Sequence, residues 1–543
     1  MLLDFANAFN TVDRNLMLRL TAAYCPELTN LVFWLYERES QLITKGGYTV
    51  MSSTGTQQGC TLSNPLFALV MEYISKKLII PGIMAKLFYW DDTALVGTPD
   101  AIEEAVSRIR LLSEETGLQL RWKKCHLYGL PDVIAECNNV SPLLLKENVH
   151  DDFDMIYLKA PIGSDLFVAE WLTAKLSELQ DLVTAITQMP YKHEAFTLLR
   201  SCAAECRVMY LMRVIPPKQL EWFMHEFDAV LEKGFDELLG IRLEKKWWRL
   251  AQLPTKYGGM GIRSGLRTFG AQHLCSLVKS SCNVRKIVGS WNVDAIARRD
   301  TEGWLNNARE EKVDIANLIH RIQARDATAI SHNNASLSGI QGYQYQYSLA
   351  QLCELTEQKR VMALMSNRES LHIEAHSGQH HHRVSLAFKK YALTSSGWVA
   401  TVRKRLMVDV FPFQSRCTFC WGGWCDVKGE HAIMCPGGGS SILRHNTVRN
   451  IVAKAARDAG CHTDIEPGGG LGDQRRPGDV IIYNWRDGRH LLIDVAVINP
   501  LCSTHLPKLI SEGVGAAATA YEKTKERTHR DIDFDKYQFL PYY

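Results

Sequence analysis

Three cysteines and one histidine lie close together in the last third of the sequence and could bind a metal ion. Two residues separate the first pair, three separate the second pair, and ten lie between the pairs. The set consists of Cys417, Cys420, His431 and Cys435. Thiolates and imidazole at such short spacing favour closed, tetrahedral coordination of structural Zn²⁺. A segment this small buries little apolar surface, so bound zinc would supply its folding free energy.

Two further residues leave the ligand set open. Cys425 and His445 are near enough in sequence to replace one of the four ligands, and four unrelated buried side chains are the alternative to a metal site. The 15 cysteines among 543 residues are too dilute for a disulfide scaffold, and no secretory signal is recognisable. We therefore expect an intracellular, reducing environment.

A second set of side chains with chemical potential lies near the N-terminus. Asp4 follows a short apolar strand, and Asp91 and Asp92 occupy a turn between two apolar strands. Nucleotidyl transfer by two metal ions needs carboxylates from separate segments, and adjacent carboxylates repel each other unless a cation lies between them. Taken alone, such a pair usually forms an ordinary hairpin turn.

A third set lies near the C-terminus. Glu466, Asp479 and Asp494 are placed at the edges of predicted strands. Carboxylates so arranged can bind a divalent ion that activates water for phosphodiester hydrolysis. An aspartate after Pro-Gly is more often a turn residue, so only the combination predicts a nuclease.

The elements that must position these residues are read from periodicity. Residues 65–78 and 101–116 are predicted helices, and residues 87–96 are predicted to form two strands about a turn. Residues 169–240 are almost entirely helical in pattern. Residues 331–347 are polar and rich in turn formers, which predicts a linker.

Two strands and a helix are predicted near the C-terminus. The helix covers residues 444–459, and the strands cover residues 479–483 and 491–498 on either side of a turn at 486–488. With the N-terminal pattern, this predicts an α+β multidomain fold.

Composition sets the scale. A chain of 543 residues predicts three to four domains at roughly 150 residues each. Hydrophobic residues make up 46% and charged residues 22%, which excludes disordered and fibrous proteins. The net charge of +3 does not decide whether nucleic acid binds. No apolar run approaches the roughly 18 residues of a membrane span, so we expect no membrane partner. The oligomeric state is not predicted.

Four successive segments together resemble the palm motifs of reverse transcriptases from non-LTR retrotransposons. They are residues 4–10 (DFANAFN), 57–67 (QQGCTLSNPLF), 89–92 (YWDD) and 117–120 (GLQL) with Lys124. Their order and spacing are far more specific than any one motif. Residues 158–164 (LKAPIGS) resemble the loop that follows, near the primer grip.

The resemblance implies catalytic roles for four residues. Asp4 and Asp91 would bind two Mg²⁺ ions, with Asp92 supporting them. Lys124 would protonate the leaving pyrophosphate, with a solvated surface charge as the alternative.

The resemblance also implies a nucleotide-binding set. Phe9 would exclude a ribose 2′-hydroxyl, and Gln58 and Gly59 would contact nucleotide and template, where glycine permits close approach of the backbone. Trp90 and Arg121 depart from the family, which usually has a smaller residue and an asparagine there.

The family has a fingers region before its first catalytic aspartate. Because that aspartate is residue 4 here, we interpret the chain as shortened at its N-terminus and expect impaired polymerisation. Residues 200–217, 247–254 and 258–263 resemble the thumb and linker. Residues 245–249 (KKWWR) could track a nucleic-acid strand, or their tryptophans could be core residues.

The C-terminal carboxylates resemble the restriction-like endonuclease of site-specific non-LTR elements, which has a CCHC knuckle just upstream. The resemblance implies that Asp479, Asp494 and Glu466 are its catalytic carboxylates. The wider nuclease superfamily has a lysine where this chain has Ala496, and Lys523 or Lys525 would take its place.

These interpretations combine into one architecture and function. We predict a reverse-transcriptase palm, a helical thumb and linker, a small zinc knuckle and an α/β restriction-like nuclease core. The bounds are residues 1–165 for the palm, 166–270 for the thumb and linker, 271–400 for a helical connection, 401–445 for the knuckle and 446–543 for the nuclease.

The resemblance implies an RNA-directed DNA polymerase of a retrotransposon polyprotein that also nicks DNA. Its partners would be element RNA template, DNA primer or target and dNTPs, with nuclear localisation expected from the chromosomal target. The alternative is a catalytically inactive nucleic-acid-binding remnant of a retroelement.

Overall fold

The computed structural model describes most of the chain. It covers residues 1–43, 45–57, 59–287, 296, 299, 338–377, 393–437, 439–467, 478–499, 502, 504–513, 515–530 and 532–542. These residues form two compact units. The first comprises residues 1–173, 214–219 and 276–302, and the second comprises residues 174–213, 220–275 and 303–543.

Both units contain helices and strands. The helices are α1 Ala8–Thr11, α2 Arg14–Tyr24, α3 Thr29–Tyr36, α4 Ser63–Lys77, α5 Pro99–Thr116, α6 Pro131–Glu136, α7 Asp165–Thr187, α8 Lys192–Leu198, α9 Glu205–Val214, α10 Pro217–Leu239, α11 Lys245–Gln252, α12 Gly265–Ile287, α13 Ser338–Ala363, α14 Asn367–His376, α15 Ser395–Arg405, α16 Glu430–Met434, α17 Ser440–Asp458, α18 Leu506–Glu512 and α19 Ala516–Thr528. The strands are β1 Leu2–Leu3, β2 Ser40–Ile43, β3 Thr49–Ser52, β4 Ile83–Tyr89, β5 Asp92–Gly97, β6 Leu127–Tyr128, β7 Val149–His150, β8 Met155–Tyr157, β9 Ala160–Ile162, β10 Ser415–Arg416, β11 Trp424–Cys425, β12 Thr463–Ile465, β13 Val480–Arg486, β14 Arg489–Val495 and β15 Tyr537–Tyr542.

An antiparallel sheet with the order β1-β5-β4 forms the centre of the first unit. Helices α2, α4 and α5 contact one another and the sheet, and their apolar faces form one core. Leu16, Val70, Leu95 and Val106 are each at most 2% exposed there. Burial of such side chains contributes about 1.5–3 kcal/mol each, so the core fixes the sheet edge that carries the motifs.

Both helices predicted in this unit are confirmed, as is the strand pair. The predicted helix at residues 65–78 is α4, and the predicted helix at residues 101–116 is α5. Gly117 ends α5 at φ +73°, and a Cβ atom there would lie 2.1 Å from the Thr11 carbonyl oxygen. Glycine is therefore required both by the backbone conformation and by the close packing of α1.

A four-stranded mixed sheet lies in the second unit, with the order β12-β13-β14-β15. Strands β14 and β15 are parallel, whereas the other pairs are antiparallel. Helix α17 packs on one face through Ala453, and the opposite face carries a smaller cluster around Leu492 and Ile532. The two predicted strands here are confirmed, with the turn at Asp487 and Gly488.

One prediction in this region is wrong. Residues 338–347, the second part of the predicted polar linker, belong to helix α13; residues 331–337 lie outside the described residues. The segment contains no proline that would stop a helix. Once a helix has formed in residues 348–363, each further residue that it orders adds one hydrogen bond, so the helix extends into residues 338–347 without a new nucleation step. Polarity alone was therefore a poor guide.

The tryptophans of the predicted strand-tracking segment are core residues. Trp247 and Trp248 in α11 are 5% and 6% exposed. The cations beside them are engaged, because Lys246 pairs with Glu369 at 3.0 Å and Arg249 pairs with Glu357 at 2.6 Å. The packing interpretation of this segment therefore holds.

Among the described helices, none has the length and apolar character needed to cross a membrane.

Candidate active sites and metal centre

Strand pairing brings Asp4 and the Asp91–Asp92 turn to the same end of the first sheet. Strands β1 and β5 are antiparallel, with Leu2 opposite Ala94 and Leu3 opposite Thr93. The same register, continued by one residue, sets Asp4 opposite Asp92. The turn between β4 and β5 is tight, with Trp90 at φ +56°. Carboxylates separated by more than 80 positions in the sequence thus lie at the same end of the sheet.

The segment that contains Lys124 joins this edge by backbone hydrogen bonds. Phe5 pairs with Leu120 in an isolated bridge, and the Arg121 N–H donates to the Asp4 carbonyl at 2.8 Å. This pairing brings two cations toward the Asp4 carboxylate. The charges of Lys124 and Arg121 both lower the pKa of Asp4.

The three carboxylates influence one another electrostatically. Burial is the largest cause that raises the pKa of Asp4, and the Asp91 carboxylate raises it further. Burial also raises the pKa of Asp92, followed by the charges of Asp91 and Asp4. Such mutual repulsion is relieved by a divalent cation, so the donor set fits Mg²⁺ chemically. The arrangement can hold cations for phosphoryl chemistry.

An aromatic wall stands beside the turn. The ring of Phe9 stacks on Phe67 with centroids 4.3 Å apart, and it meets Trp90 edge-on at 6.5 Å. Trp90, which departs from the family pattern, is thus part of this wall and displaces no carboxylate.

The loop that carries Gly59 is hydrogen-bonded to the same region. The Thr56 N–H donates to the Phe9 carbonyl at 2.7 Å, and a Cβ atom on Gly55 would lie 2.5 Å from the Asn10 Cα. Gly59 has φ +87° and open space where a side chain would be, so its conformation, not crowding, requires glycine. Gln58 lies outside the described residues.

Two residues near this site carry no role in the sequence interpretation. Arg14 is 6% exposed and donates to the carbonyl oxygens of Gly55 at 2.9 Å and Ser52 at 2.7 Å, so it holds the loop in place. Lys159, in the turn between β8 and β9, lowers the pKa of Asp92 by its charge. An arginine directly after an N-cap aspartate gave no signal in sequence, because its acceptors are backbone atoms about 40 residues away.

The four predicted zinc ligands converge in the second unit. The ligand atoms of Cys417, Cys420, His431 and Cys435 all lie within 4.8 Å of one another, and they are the only group of three or more such side chains among the described residues. The Cys417 and Cys435 sulfurs are 3.5 Å apart, and Cys420 Sγ lies 3.4 Å from His431 Nε2. Soft donors in this geometry fit Zn²⁺.

A hairpin and a short helix position these ligands. Strands β10 and β11 pair around the two N-terminal cysteines, and α16 carries His431. The Asp426 carboxylate accepts hydrogen bonds from the backbone N–H groups of Glu430 at 3.1 Å and His431 at 2.8 Å. A Cβ atom on Gly423 would lie 2.2 Å from the His431 ring, so glycine is required for that approach.

The protonation of Cys417 suits metal binding. Backbone N–H donors at Cys420 and Phe419 lower the pKa of Cys417 to about 6. A thiol that loses its proton this easily is a ready metal ligand. Of the two alternative ligands, Cys425 is not in the group of four but its thiol is hydrogen-bonded to Cys417, whereas His445 contacts Asp479 instead, at 3.2 Å.

The predicted nuclease carboxylates Asp479 and Asp494 face each other across β13 and β14. Asp479 Oδ2 accepts a hydrogen bond from the Val495 N–H at 2.7 Å, and the two carboxyl groups are themselves hydrogen-bonded. Burial raises the pKa of Asp479, and the hydrogen bond with the Asp494 carboxyl group raises it further. For Asp494, burial opposes ionisation, but Lys525, Asp479 and His529 together lower its pKa.

Helix α19 and its C-cap residue, His529, supply two groups that contact Asp494. Lys525 Nζ lies 2.8 Å from Asp494 Oδ2, and His529 Nε2 lies 2.9 Å from the same oxygen. Lys523, the other predicted lysine, is exposed and is two positions away on the helix. Only Lys525 of the two is brought to the carboxylate.

Glu466 lies at the same end of the sheet. Its backbone N–H donates to the Asp479 carbonyl at 2.8 Å, and its carboxylate pairs with Arg449 of α17. The sequence interpretation missed Arg449 and His529. The spacing of Lys525 and His529 by four residues on one helix was the available signal, since such residues share a face.

Comparison with known proteins identifies the class of the first domain. Residues 1–142 match the family model "Reverse transcriptase (RNA-dependent DNA polymerase)". The chain therefore contains a reverse transcriptase domain within residues 1–142.

The same region is distantly similar to a curated retroelement protein. It is 28% identical over 142 residues to "Retrovirus-related Pol polyprotein from type-1 retrotransposable element R2" of Nasonia vitripennis. The alignment covers 24% of this chain and 14% of the relative. The chain thus spans a small fraction of the length of the relative it matches.

Proposed function

We propose that this chain provides the RNA-directed DNA polymerase centre of a non-LTR retrotransposon polyprotein, together with a DNA-nicking centre. The observation that carries the polymerase proposal is the β1–β5 register, with Leu3 opposite Thr93, which brings Asp4 to the end of the sheet where Asp91 and Asp92 lie. The substrates would be an RNA template, a DNA primer and dNTPs. The match of residues 1–142 to a reverse transcriptase family supports this choice.

In this proposal Asp4 and Asp91 hold two Mg²⁺ ions and Asp92 supports them. Bound Mg²⁺ would ease loss of the primer 3′-hydroxyl proton and neutralise charge on the phosphates. Burial raises the pKa of Asp4 and the charge of Lys124 partly offsets that rise, so the ammonium lies close to the carboxylate edge, where it would supply a proton to the leaving pyrophosphate.

Phe9 selects deoxynucleotides in this proposal. Its ring is braced by stacking on Phe67 at 4.3 Å, so it cannot easily turn aside for a ribose 2′-hydroxyl. Gln58 and Gly59 follow Thr56 in the sequence, whose N–H donates to the Phe9 carbonyl, and they would contact the nucleotide and template.

Primer extension tests the polymerase proposal. The full chain, loaded with zinc, is incubated with an RNA template, a DNA primer, dNTPs and Mg²⁺. Asp91→Ala should reduce incorporation at least about a hundredfold, the scale at which misplacement of reacting groups acts. Asp132→Asn, an exposed carboxylate of the same unit, serves as the matched control.

We also propose a nuclease centre at Asp479 and Asp494, because the half-buried Asp479 carboxylate accepts a hydrogen bond from the Val495 N–H, next to the buried Asp494, and Lys525 Nζ lies 2.8 Å from Asp494 Oδ2. They would bind Mg²⁺ with Glu466, and Lys525 would stabilise the charge of the attacked phosphodiester or the activated water. The knuckle would hold structural zinc just upstream.

Duplex nicking tests this second centre. Asp479→Asn and Asp494→Asn should abolish Mg²⁺-dependent nicking, whereas Asp487→Asn should not. Asp487 lies at the tip of the β13–β14 turn with its side chain 83% exposed, and asparagine tolerates its positive φ. Absence of both activities in a folded wild-type chain would favour the alternative, a nucleic-acid-binding remnant.

A further inference from the structure

A cavity beside the zinc knuckle has an unusual charge balance. It has a volume of about 430 Å³ and lies between α15 and α16, with Arg444 at the start of α17 on its wall. Four cations line it, and the described lining contains no carboxylate. The four are Lys404, Arg405, Lys428 and Arg444.

Two of these cations are neutralised by acidic neighbours. Lys404 Nζ lies 2.6 Å from Glu430 Oε1, and Lys428 Nζ lies 2.9 Å from Asp409 Oδ1. The other two contact only backbone carbonyls among the described residues. Arg444 donates to the Ile433 carbonyl, and Arg405 donates to the Gly259 carbonyl at 3.1 Å. Two positive charges at the cavity wall are therefore uncompensated.

Arg405 is the exceptional residue of the set. It is 5% exposed, and its Nη1 atom is buried without a hydrogen-bond partner in the described part of the chain. Burial lowers the pKa of its guanidinium to about 10, and no carboxylate opposes that effect. Buried charges in proteins are normally paired, because an isolated one costs several kcal/mol of desolvation.

We infer that this cavity binds a backbone phosphate group of nucleic acid. Arg405 supplies positive potential from beneath the wall, since its Nη1 is not itself exposed. Arg444 is partly exposed and makes the direct contact. An anion in the cavity would compensate both charges at once, which no described protein group does.

The walls favour a nucleic acid over a small free anion. Val410, Phe411 and Ile433 line the cavity with the cations, and Phe411 is 38% exposed. An apolar and aromatic wall beside a phosphate site suits a nucleotide, whose sugar and base follow the phosphate. The choice of nucleic acid as ligand also rests on the proposed function.

Oligonucleotide binding tests the inference. The probes are fluorescein-labelled 20-nucleotide single strands of DNA and RNA, titrated with the zinc-loaded full chain at several salt concentrations. Arg444→Gln should weaken binding about fivefold and reduce the slope of log K against log[salt] by about 0.7 to 0.9, which is the loss of one phosphate contact. DNA and RNA arms show which strand the site prefers.

Two further variants make the result decisive. Lys454→Gln on the same helix α17 should bind like wild type, since Lys454 lies outside the cavity lining and is paired with Asp458 at 2.6 Å. Arg405→Gln tests the buried charge and should also weaken binding, with its thermal unfolding measured to confirm that it folds. Where it does not fold, Arg444→Gln alone decides.

The test is independent of catalysis. The titrations are repeated in the double variant Asp91→Ala, Asp494→Asn, so loss of polymerase or nuclease activity leaves the binding result intact. Equal affinity and salt slope for wild type and Arg444→Gln would overturn the inference. Stabilisation of wild type, but not Arg444→Gln, by inorganic phosphate without any effect on oligonucleotides would also overturn it, in favour of a free-phosphate site.

Discussion

Lys525 Nζ lies 2.8 Å from Asp494 Oδ2, and this ion pair distinguishes between two lysines that the sequence left equivalent. Asp494 is 6% exposed at the end of β14, and α19 presents Lys525 to it from the other side of the strand edge. Of the two predicted lysines, the structure therefore brings Lys525 to this carboxylate.

This pairing predicts different effects for the two lysines. Lys525→Ala should lower the nicking rate by about a hundredfold or more, because the buried Asp494 loses its cation and the site loses a proton carrier. Lys523→Ala removes an exposed cation from the same helix and should change the rate less than about threefold. Equal losses in the two variants, measured on one supercoiled substrate, would count against the assignment.

The carboxylates of the first unit predict a pH-dependent stability. Burial and the charges of Asp91 and Asp4 raise the pKa of Asp92, so the folded chain binds the proton more tightly than the unfolded chain. The free energy of unfolding therefore falls as pH rises from the unfolded pKa through the raised folded pKa.

Removal of the Asp92 charge should prevent this loss of stability at high pH. Without metal, Asp92→Asn should raise the Tm by about one or two degrees at pH 7 and have a smaller effect near pH 3. Mg²⁺ should stabilise wild type more than this variant. Calorimetry of wild type and Asp92→Asn checks the prediction, with Asp132→Asn as the control. A Tm for Asp92→Asn below that of wild type at pH 7 without metal would refute it.

The aromatic wall predicts sugar selectivity. Phe9→Val should raise the ratio of ribonucleotide to deoxynucleotide incorporation by about tenfold or more, because the ring that fills the space of a 2′-hydroxyl is removed. Phe9→Tyr keeps the ring and should retain selectivity. Single-nucleotide incorporation with matched dNTP and rNTP gives the ratio, and an unchanged ratio in Phe9→Val would remove Phe9 from the selective role.

The zinc centre predicts one bound ion and a defined ligand set. Purified wild type should contain about one zinc per chain, and His431→Ala should lose it together with the fold of the segment, since metal supplies much of its folding free energy. Cys425→Ser should retain zinc. Gly423→Ala should weaken zinc binding as well, because its Cβ would lie 2.2 Å from the His431 ring. Zinc retention in His431→Ala would contradict this ligand set.

The site residues that could be grouped from the sequence are those that lie close together in the chain or at the ends of recognisable strands. The four zinc ligands fall within 19 residues, so spacing alone placed them together. Asp4 and Asp91 were predicted from the resemblance of their motifs to those of reverse transcriptases, since their position after apolar strands alone is typical of an ordinary turn, and their alignment depends on the β1–β5 register.

Contacts that depend on how a helix packs on a sheet were not predictable. His445 seemed a spare zinc ligand, but α17 packs on β13 and turns its ring to Asp479, 34 residues away. Arg405 gave no signal either, since an arginine near the end of a helix is ordinarily solvated and its burial follows from tertiary packing.

Primer extension by the zinc-loaded full chain tests the central claim most directly. The account predicts Mg²⁺-dependent incorporation of dNTPs on an RNA template by wild type and by Asp132→Asn, reduced at least about a hundredfold in Asp91→Ala. Undiminished incorporation by Asp91→Ala, or none by a folded wild-type chain, would contradict it.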